Sequence, residues 1–194
     1  GTTAGGVTVA TGAALELQGG ITVAETLSIN GSGVSGNGAL RNLSGDNTWN
    51  GTVTLAGNAE IQSDAGILTL SGAPTSVTGA NRTLIFDGAG NGLISGIITT
   101  SSTGGALTKT GAGTLTLQGA NSYQGATTVS AGRLNLQNNN ATGTTAGGVT
   151  VANGAALELE GGITVGAEAL NIRGTGVGGN GALRNLIGDN IWGG

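Results

Sequence analysis

Few side chains in this 194-residue chain could carry chemistry, and their types exclude more than they suggest. There is no His and no Cys. That removes Ser-His-Asp and Cys-His nucleophile arrangements, His and thiolate metal sites, and disulfides. What remains is a scatter of carboxylates: Glu16, Glu25, Asp46, Glu60, Asp64, Asp87, Glu158, Glu160, Glu168 and Asp189. A β-rich enzyme acting on polysaccharide would need two or more of them gathered on one face, often with Lys or Arg. Several are copies of one another, and they read as solvated outward positions that keep a rod soluble. Gly31-Ser32-Gly33-Val34-Ser35-Gly36, and Gly174 to Gly179 after it, formally fit a dinucleotide-binding pattern. That pattern needs a following helix and an acidic residue further on, so here it reads as chain corners. Asp87-Gly88-Ala89-Gly90-Asn91-Gly92 has the look of a calcium-binding nonapeptide, but it lacks the tandem copies that let successive turns share an ion. No catalytic residue, cofactor or metal is expected. The candidate site residues are aromatic: Trp49, Trp192 and Tyr123, as platforms for a sugar ring or as packing residues that fill a wide coil.

Composition narrows the partners. The net charge is −4 and no basic cluster exists, which argues against nucleic acid and against anionic membrane surfaces. No apolar run approaches the ~18 residues of a membrane helix. With 42 Gly, 37% apolar residues and only 2% aromatics, the chain is too apolar for disorder and too poor in large side chains to fill a globule. A thin solenoid needs only a few Val, Ile, Leu and Ala per coil.

The elements that must position these residues follow from two periodicities. Residues 1–51 return at 143–194; with Gly166 as one insertion, 41 of the 51 aligned positions are identical. The second copy stops where the first runs on into Thr52-Val53-Thr54-Leu55, so the chain reads as a window on something longer. Within each copy, and between them, short alternating segments such as Val7-Thr8-Val9, Leu15-Glu16-Leu17 and Leu115-Thr116-Leu117 arrive every 6–12 residues. They mark strands with one buried face, separated by Gly, Asn, Ser or Asp corners. The spacing predicts an all-β fold, a parallel β-helix (β-solenoid) of about nine coils of roughly 20 residues each. The 142-residue offset between copies is then about seven coils. The whole of 1–194 reads as one continuous β-helix fragment, with its most loop-like stretches at Ser101–Gly105 and Gln137–Asn140. Arg41 and Asp46 are expected to pair across a corner.

Residues 107–136, Leu107-Thr108-Lys109-Thr110-Gly111-Ala112-Gly113-Thr114-Leu115-Thr116-Leu117 through Asn121-Ser122-Tyr123-Gln124-Gly125 to Gly132-Arg133-Leu134-Asn135-Leu136, resemble the passenger-associated transport repeat. This is the autotransporter-associated β-strand repeat of large bacterial surface proteins. The resemblance implies a right-handed β-helix, export, an extracellular or cell-surface location and an adhesive or structural role. It carries over no catalytic residue. The expectation is a non-enzymatic exported rod acting as stalk, adhesin or filament subunit. Its partners would be further copies joined head to tail, or a host or matrix glycan or protein. The alternative is a β-helix that binds or cleaves polysaccharide.

Overall fold

The computed structural model describes residues 5–100 and 104–194. The loop expected at Ser101–Gly105 falls largely on residues outside this range. The described residues form an all-β solenoid in which every paired strand is parallel to its neighbour. The alternation explains the strands directly. In Thr114–Leu117 the two Leu are fully buried while Thr114 and Thr116 face outward. Successive coils repeat this in register. Leu68, Gly92, Leu115, Leu134 and Leu157 form one inward column, and Thr69, Leu93, Thr116, Asn135 and Glu158 form the outward column beside it.

The chain winds around three faces. The third face is an unbroken eight-stranded sheet, from Thr22–Val23 and Asn47–Trp49 through Ile67–Leu70, Asn91–Ile94, Thr114–Leu117 and Arg133–Leu136 to Ala156–Glu160 and Leu183–Ile187. The second face stacks Leu15–Gln18, Leu40–Ser44, the end of Val53–Ser63, Thr83–Asp87, Ala106–Lys109, Thr127–Val129, Val149–Val151 and Leu170–Ile172. The first face begins with Val7–Val9, Leu27–Gly31 and the start of Val53–Ser63, and continues through Thr75–Thr78 and Ile97–Thr99. It then runs on as irregular chain. Ser122 N–H donates to Ile98 O and Thr144 N–H to Tyr123 O, and Thr164–Val165 and Ile191–Trp192 close the face. Eight strands on each of the second and third faces give about eight turns, in line with the roughly nine that the spacing predicts.

These pairings place the two copies of the repeat on different faces. The first copy starts on the first face, where Val7–Val9 pairs with Leu27–Gly31. Its counterpart Val149–Val151 lies on the second face, stacked on Thr127–Val129. Leu15–Gln18 is on the second face and its counterpart Ala156–Glu160 is on the third. Nineteen successive face passages separate the two starts, so the offset is six and one third turns and not seven. The repeat therefore returns advanced by one face, about 30 Å along the rod at ~4.8 Å per coil. Coils are longer than 20 residues where loops are inserted. Val7 pairs with Leu27, a step of 20 residues, but Leu27 pairs with Val53, a step of 26. The longer coil holds the loop around the short 3-10 turn Val34–Gly36.

The core is a narrow column of Leu, Ile and Val with three larger insertions, Trp49, Phe86 and Tyr123. Phe86 fits because the chain opposite it is Gly92. A Cβ there would stand 2.2 Å from the ring.

Candidate functional site

The three aromatic candidates have different fates. Trp49 is 1% exposed and Tyr123 is 0% exposed, and neither presents a ring face to solvent. The Tyr123 hydroxyl hydrogen-bonds Thr127 at 2.8 Å, inside the rod. Trp192 is half-buried, packed against the core, and donates its indole N–H to Glu168 O at 3.0 Å.

Six charged side chains form ion pairs between coils. Arg41 does not meet Asp46. It lies outward between Glu16 on the coil before, at 3.2 Å, and Asp64 on the coil after, at 2.6 Å. The Asp64 hydrogen bond and charge, with Glu16, hold its guanidinium above its usual pKa. Asp46 instead accepts the Ile67 N–H at 2.9 Å, because parallel stacking puts a corner carboxylate over the next corner's amide. Glu158, nearly buried, accepts from Arg184 at 2.6 Å and faces Arg133 at 3.5 Å. Burial, helped by Asp87, raises the Glu60 carboxyl. Burial also raises Glu168, partly offset by hydrogen bonds from Gly148 and Thr142. Asp87 accepts the N–H of its neighbour Gly88 at 2.6 Å, a local turn. Among the described residues, no three of His, Cys, Asp or Glu gather to hold a metal ion. Both glycine-rich patterns are corners around short 3-10 turns, Val34–Gly36 and Val177–Gly179.

Sequence reasoning missed Lys109. It occupies an inward position between Phe86 and Val129 and is 0% exposed. Its stem fills the core and its amine donates to Gly111 O at the next corner. Burial pulls the ammonium down to about 8, against the attraction of Asp87. The signal was the alternation itself. In Leu107-Thr108-Lys109 the Lys stands in phase with the buried Leu.

A groove of about 460 Å³ lies on the outer side of the third face. Ile67, Leu93, Thr114, Thr116, Gln118, Asn91 and Gln137 line it, with Gly92 below. An amide chain runs along its far wall. Gln118 donates to Gln137 at 2.9 Å, Gln137 donates to Glu160 at 3.2 Å, and Asn135 donates to the same Glu160 oxygen at 3.1 Å. At the neighbouring corner Asn138 donates to Gln118 O and Asn139 accepts from Thr164 N–H, so the Asn run ties coils through backbone contacts. Two smaller notches, of about 200 and 250 Å³, are equivalent in the two copies. One lies at Gly5–Thr8 beside Thr26–Ser28, the other at Gly147–Thr150 beside Ala169–Asn171.

Comparison with known proteins agrees with this architecture. The family model of the passenger-associated-transport-repeat matches residues 107–136. The chain is 38% identical over 113 residues to the adhesin BmaC autotransporter of Brucella suis biovar 1 (strain 1330). That alignment covers 58% of this chain and 3% of the adhesin, so the chain spans a small fraction of its relative's length. No solved structure matches. The chain thus carries, at residues 107–136, a passenger-associated-transport-repeat set in the middle coils of a β-solenoid.

Proposed function

We propose that this chain is a segment of an adhesive rod, exported to the bacterial surface or beyond it, whose coils set the reach of the parent protein. The observation that carries this reading is the duplication. Forty-one of 51 positions are repeated, and what they repeat is an inward packing column with its corners. Such a unit adds length without adding chemistry. The passenger repeat at 107–136 and the similarity to an adhesin support an extracellular or cell-surface location and a binding role over an enzymatic one. No helix among the described residues is long and apolar enough to cross a membrane.

A stalk and a filament subunit differ in what covers the end coils. Open coil ends favour head-to-tail joining. Electron microscopy of the purified chain separates the two readings. Single short rods at every concentration support the stalk, and concentration-dependent fibres support the filament. The adhesive reading is tested by displaying the chain in one, two and three tandem units on non-adherent cells. Binding to host cells or matrix that rises with unit number supports it, and no binding at any length overturns it.

A further inference from the structure

We propose that the outer groove of the third face binds an extended, uncharged polysaccharide laid along the rod, at one sugar ring per coil. This rests on the adhesive reading and gives it a site and a ligand class. Four observations carry it. First, the groove is long in the right direction: its lining comes from four successive coils, through Ile67, Leu93, Thr116 and Gln137. The coil rise of ~4.8 Å is close to the rise of a pyranose residue in an extended glycan. Second, the lining is uncharged: hydroxyls and amides from Asn91, Thr114, Thr116, Gln118 and Gln137, and an aliphatic floor from Ile67 and Leu93. The nearest charges are already engaged, with Glu160 accepting from two amides and Glu158 held by two arginines. An acidic chain would find no cation in the lining to pair with. Third, the amides are pre-set by the Gln118–Gln137–Glu160 chain, which lowers the ordering cost of binding. Fourth, a peptide has no route in by strand addition, because the strands beneath the groove are paired on both sides.

The groove contains no aromatic ring, so each site binds weakly and the rod gains avidity by presenting many chains to one polymer.

The test is solution NMR of the 194-residue chain, titrated separately with cellotetraose, chitotetraose, tetragalacturonate and an unstructured neutral peptide. The expected result is millimolar binding of a neutral tetrasaccharide, with shifts confined to residues 67–71, 91–95, 114–118 and 135–137. Thr116→Arg should weaken it at least tenfold, while Trp192→Ala leaves it unchanged. The amide spectrum of Thr116→Arg shows directly whether the variant is folded, and Leu93→Asn serves as a second, milder probe. No shift with either neutral sugar, shifts elsewhere, stronger binding of tetragalacturonate or the peptide, or binding indifferent to both variants would overturn the proposal. Loss of the groove with cell adhesion retained would sink this site alone. Loss of adhesion with sugar binding retained would sink the adhesive reading alone.

Discussion

The two copies of the repeat are almost the same sequence in opposite situations. Within residues 5–194 the first copy has coils stacked after it, and the second has coils stacked before it. Trp49 is 1% exposed under the coil that begins at Thr52, whereas its counterpart Trp192 is half-buried. Leu40 is fully buried and Leu183 is not. At the opening coil the order reverses. Val7 and Leu15 are partly exposed, while Val149 and Leu157 are buried. Glu25 is half-buried, and Glu168 is 1% exposed beneath Thr142 and Gly148. Within these residues, burial thus follows the presence of a neighbouring coil. The loop around the 3-10 turn is the exception. It has the same backbone in both copies, with φ of +76° and +77° at Gly33 and Gly176, and the same bond from Gly38 to Ser32 O and from Gly181 to Thr175 O. That structure is local and needs no cover.

This contrast can be broken in several ways. The largest effect is expected at the tryptophans. Trp49→Ala should destabilise the rod by about 3–5 kcal/mol, the usual range for a buried aromatic, and Trp192→Ala by less than half as much. Equal midpoint shifts in guanidinium unfolding would mean that cover does not decide burial energy. Next comes Lys109, which is covered on both sides. Its folded pKa lies near 8, below the unfolded 10.5, so the unfolded chain holds more protons between these values and stability rises with pH across that window. The gain is at most about 3 kcal/mol. Above pH 10 the buried Tyr123, whose ionisation is pushed upward, works in the opposite direction. Urea unfolding from pH 7.5 to 10 should show the rise, and Lys109→Met should flatten it. A flat wild-type profile would contradict the burial of the amine. A third comparison tests the loop. A Cβ on Gly33 or on Gly176 would stand 2.0 Å from a backbone oxygen, of Gly38 or Gly181. Both Ala variants should lose about 1–3 kcal/mol and match each other closely, unlike the tryptophan pair. The smallest effect is electrostatic. Asp64→Ala leaves Arg41 with a carboxylate on one side only, the situation of Arg184. The loss should be under ~1 kcal/mol and shrink further in 1 M salt; a larger, salt-insensitive loss would show that Asp64 does more than pair.

Strand positions and the solenoid class were legible because parallel coils need only alternation and frequent corners, and both are local. The register was not. The coil length changes where the Val34–Gly36 loop is inserted and where Val53–Ser63 runs around a corner with both ends paired on different faces. Single-sequence spacing cannot say which face a strand joins. For that reason the shift of one face between the copies cannot be read from the spacing alone. Arg41 was linked to Asp46 by sequence proximity, whereas contacts in a solenoid run between coils, about 20 to 26 residues apart. The groove was also illegible, since its wall draws on four coils, from Ile67 through Leu93 and Thr116 to Gln137.

The central claim is that the second copy is turned by one face relative to the first. Pulsed electron-spin distances test it, using nitroxide labels on outward positions. Thr150 is labelled in the second copy and paired in turn with Glu16, on the second face, and with Thr8, on the first. The structure puts Glu16 and Thr150 on the same face, six coil spacings or about 29 Å apart, so Glu16–Thr150 should be the shorter distance. A shorter Thr8–Thr150 distance would mean that the copies are in phase around the rod, and would contradict this arrangement.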